Sequence, residues 1–176
     1  MKTMFLNHLM LLLLLSVAVS AQSADPEARL KALGIVLKKP ARPTANFLLA
    51  TRVGNLVYLS GHGPVKEDGE YVKGKVGEQI SFEQAKEAAR LTGISLLTSL
   101  KDEIGDLNKV KRIVKVLGMV NAVPSFDRHS QVINGFSDFM VEVFGENGKH
   151  ARSAIGLGSL PMGIPVEIEM IVELKE

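Results

Sequence analysis

Arg152 is the residue of this chain best suited to chemistry. It stands in the stretch His150-Ala151-Arg152-Ser153-Ala154-Ile155-Gly156, which Leu160-Pro161 and Val166-Glu167-Ile168-Glu169 follow. A guanidinium at the head of a strand, close to an apolar segment, can fork onto a carboxylate through two parallel hydrogen bonds. A glutamate on a neighbouring strand, Glu167, can hold a water beside such a ligand. The same two residues would also make a structural Arg–Glu bridge, and the sequence leaves both readings open.

Other chemistries are poorly provided for. There is no P-loop and no G-x-G-x-x-G after a strand, and His62, His129 and His150 are isolated rather than paired at metal-binding spacing. The absence of cysteine excludes disulfides, a thiolate nucleophile and cysteine-based metal sites. No nucleophile-elbow pattern is present, although composition alone does not exclude a Ser-His-Asp triad. Aromatic residues make up 5% of the chain and Trp is absent, which argues against a stacking platform for nucleic acid. The net charge of +2 points the same way. Lys109, Lys111, Arg112 and Lys115 come closest to a basic track, but they alternate with Val and Ile as on a solvated or interfacial strand face.

The elements that must position Arg152 and Glu167 follow from periodicity. Asp25 to Leu37 predicts a short amphipathic helix, with Leu30, Leu33 and Leu37 at helical spacing, ended by Pro40 and Pro43. Phe47 to Thr51 and Leu56 to Ser60 predict a hairpin around Val53-Gly54-Asn55, with Gly61-His62-Gly63-Pro64 stopping the second strand. Lys66 to Gly77 reads as a loop with a short strand at Tyr71-Val72. Ser81 and Gln84 form a capping box that opens a helix whose apolar face is Ala85, Ala88, Ala89, Leu96 and Leu100. Gly93 within it suits a close neighbour.

Val110 to Ala122 predicts a long strand, with Val114, Val116, Gly118 and Val120 on one face and Ile113, Leu117 and Met119 on the other. His129 to Phe144 predicts a second long helix capped by Gly145. Arg152 to Leu157 and Val166 to Leu174 complete the set, the last alternating between Val166, Ile168, Met170, Val172 and Leu174 and a face bearing Glu167, Glu169, Ile171 and Glu173. The result is an α+β domain with a sheet that two helices cover on one face. The strand at Val110 is apolar on both faces, so the second face is expected to meet another subunit, with any site at the seam.

The first residues read as a leader. Lys2 supplies a positive start, Leu9 to Leu15 an apolar run, and Val19-Ser20-Ala21 small residues for cleavage after Ala21. That run is short for a membrane span. The expected organisation is a signal peptide over 1–21, an extension over 22–43 and one domain over 44–176, in a protein exported to a periplasm or secreted and holding no stable membrane anchor.

From about Arg42 to Glu173 the chain resembles the Rid family (YjgF/YER057c/UK114), the reactive-intermediate deaminases. The resemblance rests on the hairpin Val53-Gly54-Asn55-Leu56-Val57-Tyr58-Leu59-Ser60-Gly61, on Ala151-Arg152-Ser153 with Pro161 after it, and on Glu167-Ile168-Glu169. It implies a chorismate-mutase-like (YjgF-like) fold, a mixed sheet with two helices on one face, closed into a homotrimeric barrel with sites between subunits. It implies that Arg152 anchors the carboxylate of a 2-imino acid while Glu167 helps hold the water that hydrolyses it to a 2-keto acid and ammonia, with no metal or organic cofactor. It brings Phe47, Ser60, Gly61 and Asn134 to the pocket. Against the family pattern, Phe47 replaces a frequent Tyr, Ala154 a frequent Cys and His62 a common Gln, and the segment Pro124 to Ser130 is longer, as in a divergent branch.

Two other functions fit the same residues. A non-catalytic trimer that binds small carboxylates would keep Arg152 and dispense with polar groups at Phe47 and Ala154. An endoribonuclease would draw acid/base groups from His62 and His150, but needs a basic track that the near-neutral charge does not suggest. The bland readings for two histidines are a turn residue at His62 and a helix-start surface residue at His129.

Overall fold

The computed structural model describes residues 25–176. The expected leader over 1–21 therefore lies outside the described residues. Among these, no helix is long and apolar enough to cross a membrane.

Among the described residues three α-helices and five strands follow one another in this order: α1 Pro26–Ala32, β1 Ala50–Val53, β2 Leu56–His62, α2 Phe82–Ile104, β3 Val110–Asn121, α3 His129–Phe144, β4 Ala151–Leu157 and β5 Val166–Leu174. The sheet runs in the order β1-β2-β5-β3-β4. β3 and β4 are parallel and every other pair is antiparallel, so the sheet is mixed. The parallel pair needs a crossover, and α3 supplies it.

α1 is shorter than its apolar spacing suggests. Asp25 caps it by accepting from Ala28 N at 3.0 Å. Gly34, at φ 72°, ends it, with Gly34 N donating to Lys31 O and Ile35 N to Leu30 O. This is a Schellman stop, so the glycine and not Pro40 terminates the helix. Leu30 is buried in the core, and Arg29 Nη1 donates to Glu142 O on α3.

α2 opens on the expected capping box, Gln84 N to Ser81 Oγ at 3.2 Å and Ser81 N to Gln84 Oε1 at 2.9 Å. Its face of Ala85, Ala88, Ala89, Leu96 and Leu100 is buried against the sheet and α3. A Cβ at Gly93 would meet Phe139 at 2.8 Å, so the glycine lets α3 come close.

The strands depart from the sequence expectation in three places. β1 begins at Ala50, because Phe47 N turns back to Ala45 O and takes that residue out of the ladder. β2 continues to His62, which pairs with Ile168 beyond a bulge after Leu59. The loop strand at Tyr71-Val72 is only a single bridge between Val65 and Tyr71.

β3 carries register shifts between Val110 and Arg112 and between Ile113 and Lys115. Each extra residue flips the alternation. Ile113 therefore joins Val116, Gly118 and Val120 on the buried, helix-covered side, and Val114 leaves it. The opposite face carries Tyr58, Leu117, Met119, Ile155 and Ile171 with Glu167 and Glu169, and none of these is buried.

A candidate two-part functional site

Arg152 rises from β4 on the helix side of the sheet. Its register partner is Val116, a fully buried residue of that side. The guanidinium meets the flank of α3: Nη1 donates to Asn134 Oδ1 at 3.0 Å and to Ser137 Oγ at 2.9 Å, and Nη2 to Ser130 O at 3.2 Å. Asn134 and Ser137 are three apart on one helix and so share a face. These bonds use three of the five N–H donors of an arginine and leave Nε–H and one Nη2–H, a neighbouring pair, for a ligand. All three acceptors are uncharged, and no described carboxylate forms an ion pair with Arg152. Burial lowers the guanidinium from its ordinary value, opposed by the nearby Asp138. A half-buried cation held by neutral groups is suited to an anionic ligand.

Ser137 ties Arg152 to His150. The His150 Nδ1 lies 2.7 Å from Gly148 O, and Nε2 lies 3.0 Å from Ser137 Oγ. A carbonyl only accepts, so Nδ1 carries the proton; in the neutral ring Nε2 then accepts from the Ser137 hydroxyl. Burial is the main cause that holds His150 below its ordinary pKa, and the Arg152 charge adds to it.

A second group of candidates gathers where β2 meets β5. Glu167 pairs with Met119 on the uncovered face. Its carboxylate lies directly over Gly61, where a Cβ would overlap Oε1. Only a glycine admits the carboxylate there. Burial first, and the Glu169 carboxylate second, raise Glu167 above the usual carboxylate range. Ser60 next to it fixes the incoming strand, donating from Oγ to Leu48 O at 2.6 Å. His62 is buried rather than a turn residue: Nδ1 donates to Ser60 O at 2.7 Å and Nε2 accepts from Ser99 Oγ at 2.7 Å. It repeats the bonding of His150.

The structure thus brings Arg152 and Asn134 together, and Ser60, Gly61 and Glu167 together, but sets the two groups on opposite faces of one sheet. The Arg152–Glu167 bridge does not form within one copy. Phe47 precedes β1 and is 51% exposed, beside Leu48 and Leu49. His129 starts α3, as expected, but is partly covered, with Phe126 edge-on and its ring against Gly156. Among the described residues no three His, Asp or Glu side chains are grouped to hold a metal ion.

Sequence reasoning missed Ser137 and the tie from it to His150. The sequence offered spacing alone: Ser137 follows Asn134 by one helical turn, and His150 precedes Arg152 by one strand repeat.

The family model described as "YjgF/chorismate_mutase-like, putative endoribonuclease" matches residues 27–174. Protein TCP17 of Trypanosoma cruzi is 37% identical over 162 residues, covering 92% of this chain and 99% of that protein. The crystal structure of Atu1372 from Agrobacterium tumefaciens, a protein of unknown function, superposes with a TM-score of 0.79 at 40% identity, over 86% of this chain and 94% of that one. RidA from an Antarctic Psychrobacter superposes with a TM-score of 0.56 at 26% identity, over 79% and 96%.

Proposed function

The chain belongs to the YjgF/chorismate mutase-like family and has its chorismate-mutase-like α+β fold, and we propose that it hydrolyses 2-imino acids to 2-keto acids and ammonia. The observation that carries this reading is Arg152, a cation held by three neutral acceptors with two neighbouring donors turned to no described residue. Those donors would grip the substrate carboxylate. Water adds to the carbon of the C=N bond and a proton passes to the nitrogen. The C–N bond then breaks, leaving a carbonyl and releasing ammonia. Glu167, raised above its usual range, suits the task of holding that water and passing its protons. An imine is already activated, so orientation supplies much of the acceleration.

Because Arg152 and Glu167 face opposite sides of the sheet, one pocket would draw them from two copies. The uncovered face with Tyr58, Leu117, Met119 and Ile171 offers apolar surface for that assembly, which we propose is a homotrimer. The leader-like segment with Leu9 to Leu15 supports export of the mature protein.

A non-catalytic carboxylate binder is the second reading. It is favoured by Phe47, which brings an exposed ring and no hydroxyl. The endoribonuclease reading finds less support: Lys111 and Arg112 are both bound to Glu173, Lys109 to Ile104 O and Lys115 to Ser153. The test is ammonia release from 2-iminopropanoate, generated in situ by an amino-acid oxidase, with the mature protein compared with Arg152→Ala. Acceleration that disappears in the variant supports the deaminase. No acceleration by the native protein, with carboxylate binding retained, supports the second reading.

A further inference from the structure

We propose that His150, acting through Ser137, is a positioning residue for Arg152, and that a carboxylate bound to Arg152 is felt as a change in the His150 ring. The inference rests on the carboxylate-binding role given to Arg152 above.

With a neutral ring the geometry allows one arrangement of protons. Gly148 O fixes the proton on Nδ1 of His150, Nε2 accepts the Ser137 hydroxyl proton, and the lone pairs of Ser137 Oγ face Arg152 Nη1. Ser137 is a mid-helix serine, a residue that usually returns its hydroxyl to the carbonyl one turn back. Thr92, Ser95 and Thr98 of α2 do so. The single proton of Ser137 goes to His150 instead, so the ring decides where the oxygen presents its lone pairs. Phe136 packs edge-on against the imidazole and holds its plane. One oxygen therefore stands between the ring and the guanidinium, and any rotation of Arg152 towards a ligand is transmitted through it.

The sign of the coupling follows from the charges around the ring. Arg152 on β4 faces it through Ser137, and Asp138 on α3 lies near Arg152. Arg112 of β3 and Glu173 of β5 line the same recess as His150, and the Glu173 carboxylate is shared between Arg112 and Lys111. Lys149, next in the chain, is paired with Glu146. Protonation of His150 would place two cations on one hydroxyl oxygen. An anion on Arg152 relieves that repulsion, so bound carboxylate favours the protonated ring, and by linkage affinity rises as the ring takes up its proton on lowering the pH.

The structure also supplies a control. His62 makes the same two bonds, to Ser60 O and Ser99 Oγ, away from Arg152. The experiment is a titration of both imidazoles by nitrogen-15 NMR in the mature protein, with and without pyruvate, alongside pyruvate affinity by calorimetry. In the free protein His150 shows the Nδ1–H tautomer. Pyruvate is expected to move the His150 titration upward and leave His62 unmoved. Ser137→Ala should abolish that response and weaken pyruvate binding about tenfold, the loss of one charge-assisted hydrogen bond. His150→Leu should match it, whereas His150→Gln, whose Oε1 can accept from Ser137, should retain most of the affinity.

If pyruvate binds, Arg152→Ala removes the binding, and yet His150 is unmoved and Ser137→Ala binds as tightly as native, the positioning role is overturned while the carboxylate site stands. If the native protein binds no pyruvate, the carboxylate site and the positioning role fall together.

Discussion

Arg152 and Glu167 lie on opposite faces of the same sheet, the first under α3 and the second over Gly61. Neither can reach a ligand held by the other within one copy. The single chain thus presents two separate groups, a guanidinium held by neutral acceptors and a carboxylate over Gly61, and everything proposed for its chemistry depends on a second copy joining them.

Glu167 sits on Gly61 without room for a Cβ. Gly61→Ala should therefore push the carboxylate aside. The clash is with the end of a flexible side chain, so the cost to stability should stay near 1 kcal/mol. Ammonia release should fall much further than the melting temperature, and thermal denaturation run beside the activity assay checks the disparity.

Glu167 is raised above its usual range by burial and by Glu169. The folded state thus holds its proton more tightly than the unfolded chain does. The associated stabilisation is complete below the ordinary carboxylate pKa and is lost as pH rises through the folded value. Above the folded value the ionised Glu167 works against folding. Glu167→Gln should melt higher than the native protein at neutral pH, lose that advantage under acid conditions, and lose activity throughout.

His62 and His150 are both held below the ordinary imidazole value, in each case first by burial. Here the unfolded chain takes up the proton first. Stability should be complete above about pH 6.5 and decline as pH falls from there through the folded values. Denaturant midpoints between pH 8 and 5 should show the decline. Ser99→Ala, which leaves Nε2 of the buried His62 without its donor, should cost about 1–3 kcal/mol at pH 7.5.

Gly135 of α3 lies against the Lys86 backbone of α2. A Cβ there would run into the Lys86 backbone carbonyl, which cannot swing aside. Gly135→Ala should destabilise by roughly 3 kcal/mol or more despite its better helix propensity. Gly54→Ala, at a hairpin turn with φ 60° and open space around it, should cost only about 1 kcal/mol. Urea denaturation of both variants separates packing from backbone preference.

Much of the frame was legible in the sequence, and the places where it was not share a cause. The alternation of Val166 to Leu174 survives in β5 because nothing interrupts its ladder, and the Ser81–Gln84 box forms where its spacing put it. β3 looked equally regular, but the register shifts near Arg112 and Ile113 change which residues are buried, and a bulge leaves no mark in an apolar string. Leu37 continued a helical spacing that Gly34 had already ended, with Leu33 as the C-cap. Arg152 was found from its residue type. Ser137 was not, since a serine on a helix acquires meaning only when α3 is laid across β4. The bonding of His62 and His150 was hidden for the same reason: each partner lies on a helix remote in sequence or around a turn.

The most direct test of a site assembled from two copies is subunit mixing. Arg152→Ala and Glu167→Gln, each assayed alone, should be inactive in ammonia release from 2-iminopropanoate. Unfolded together in equal amounts and refolded, they should recover roughly one quarter of native activity, because random assembly joins an intact Arg152 edge to an intact Glu167 edge at that frequency. Two inactive parents whose mixture stays inactive, although mixed oligomers are shown to form, would contradict the account.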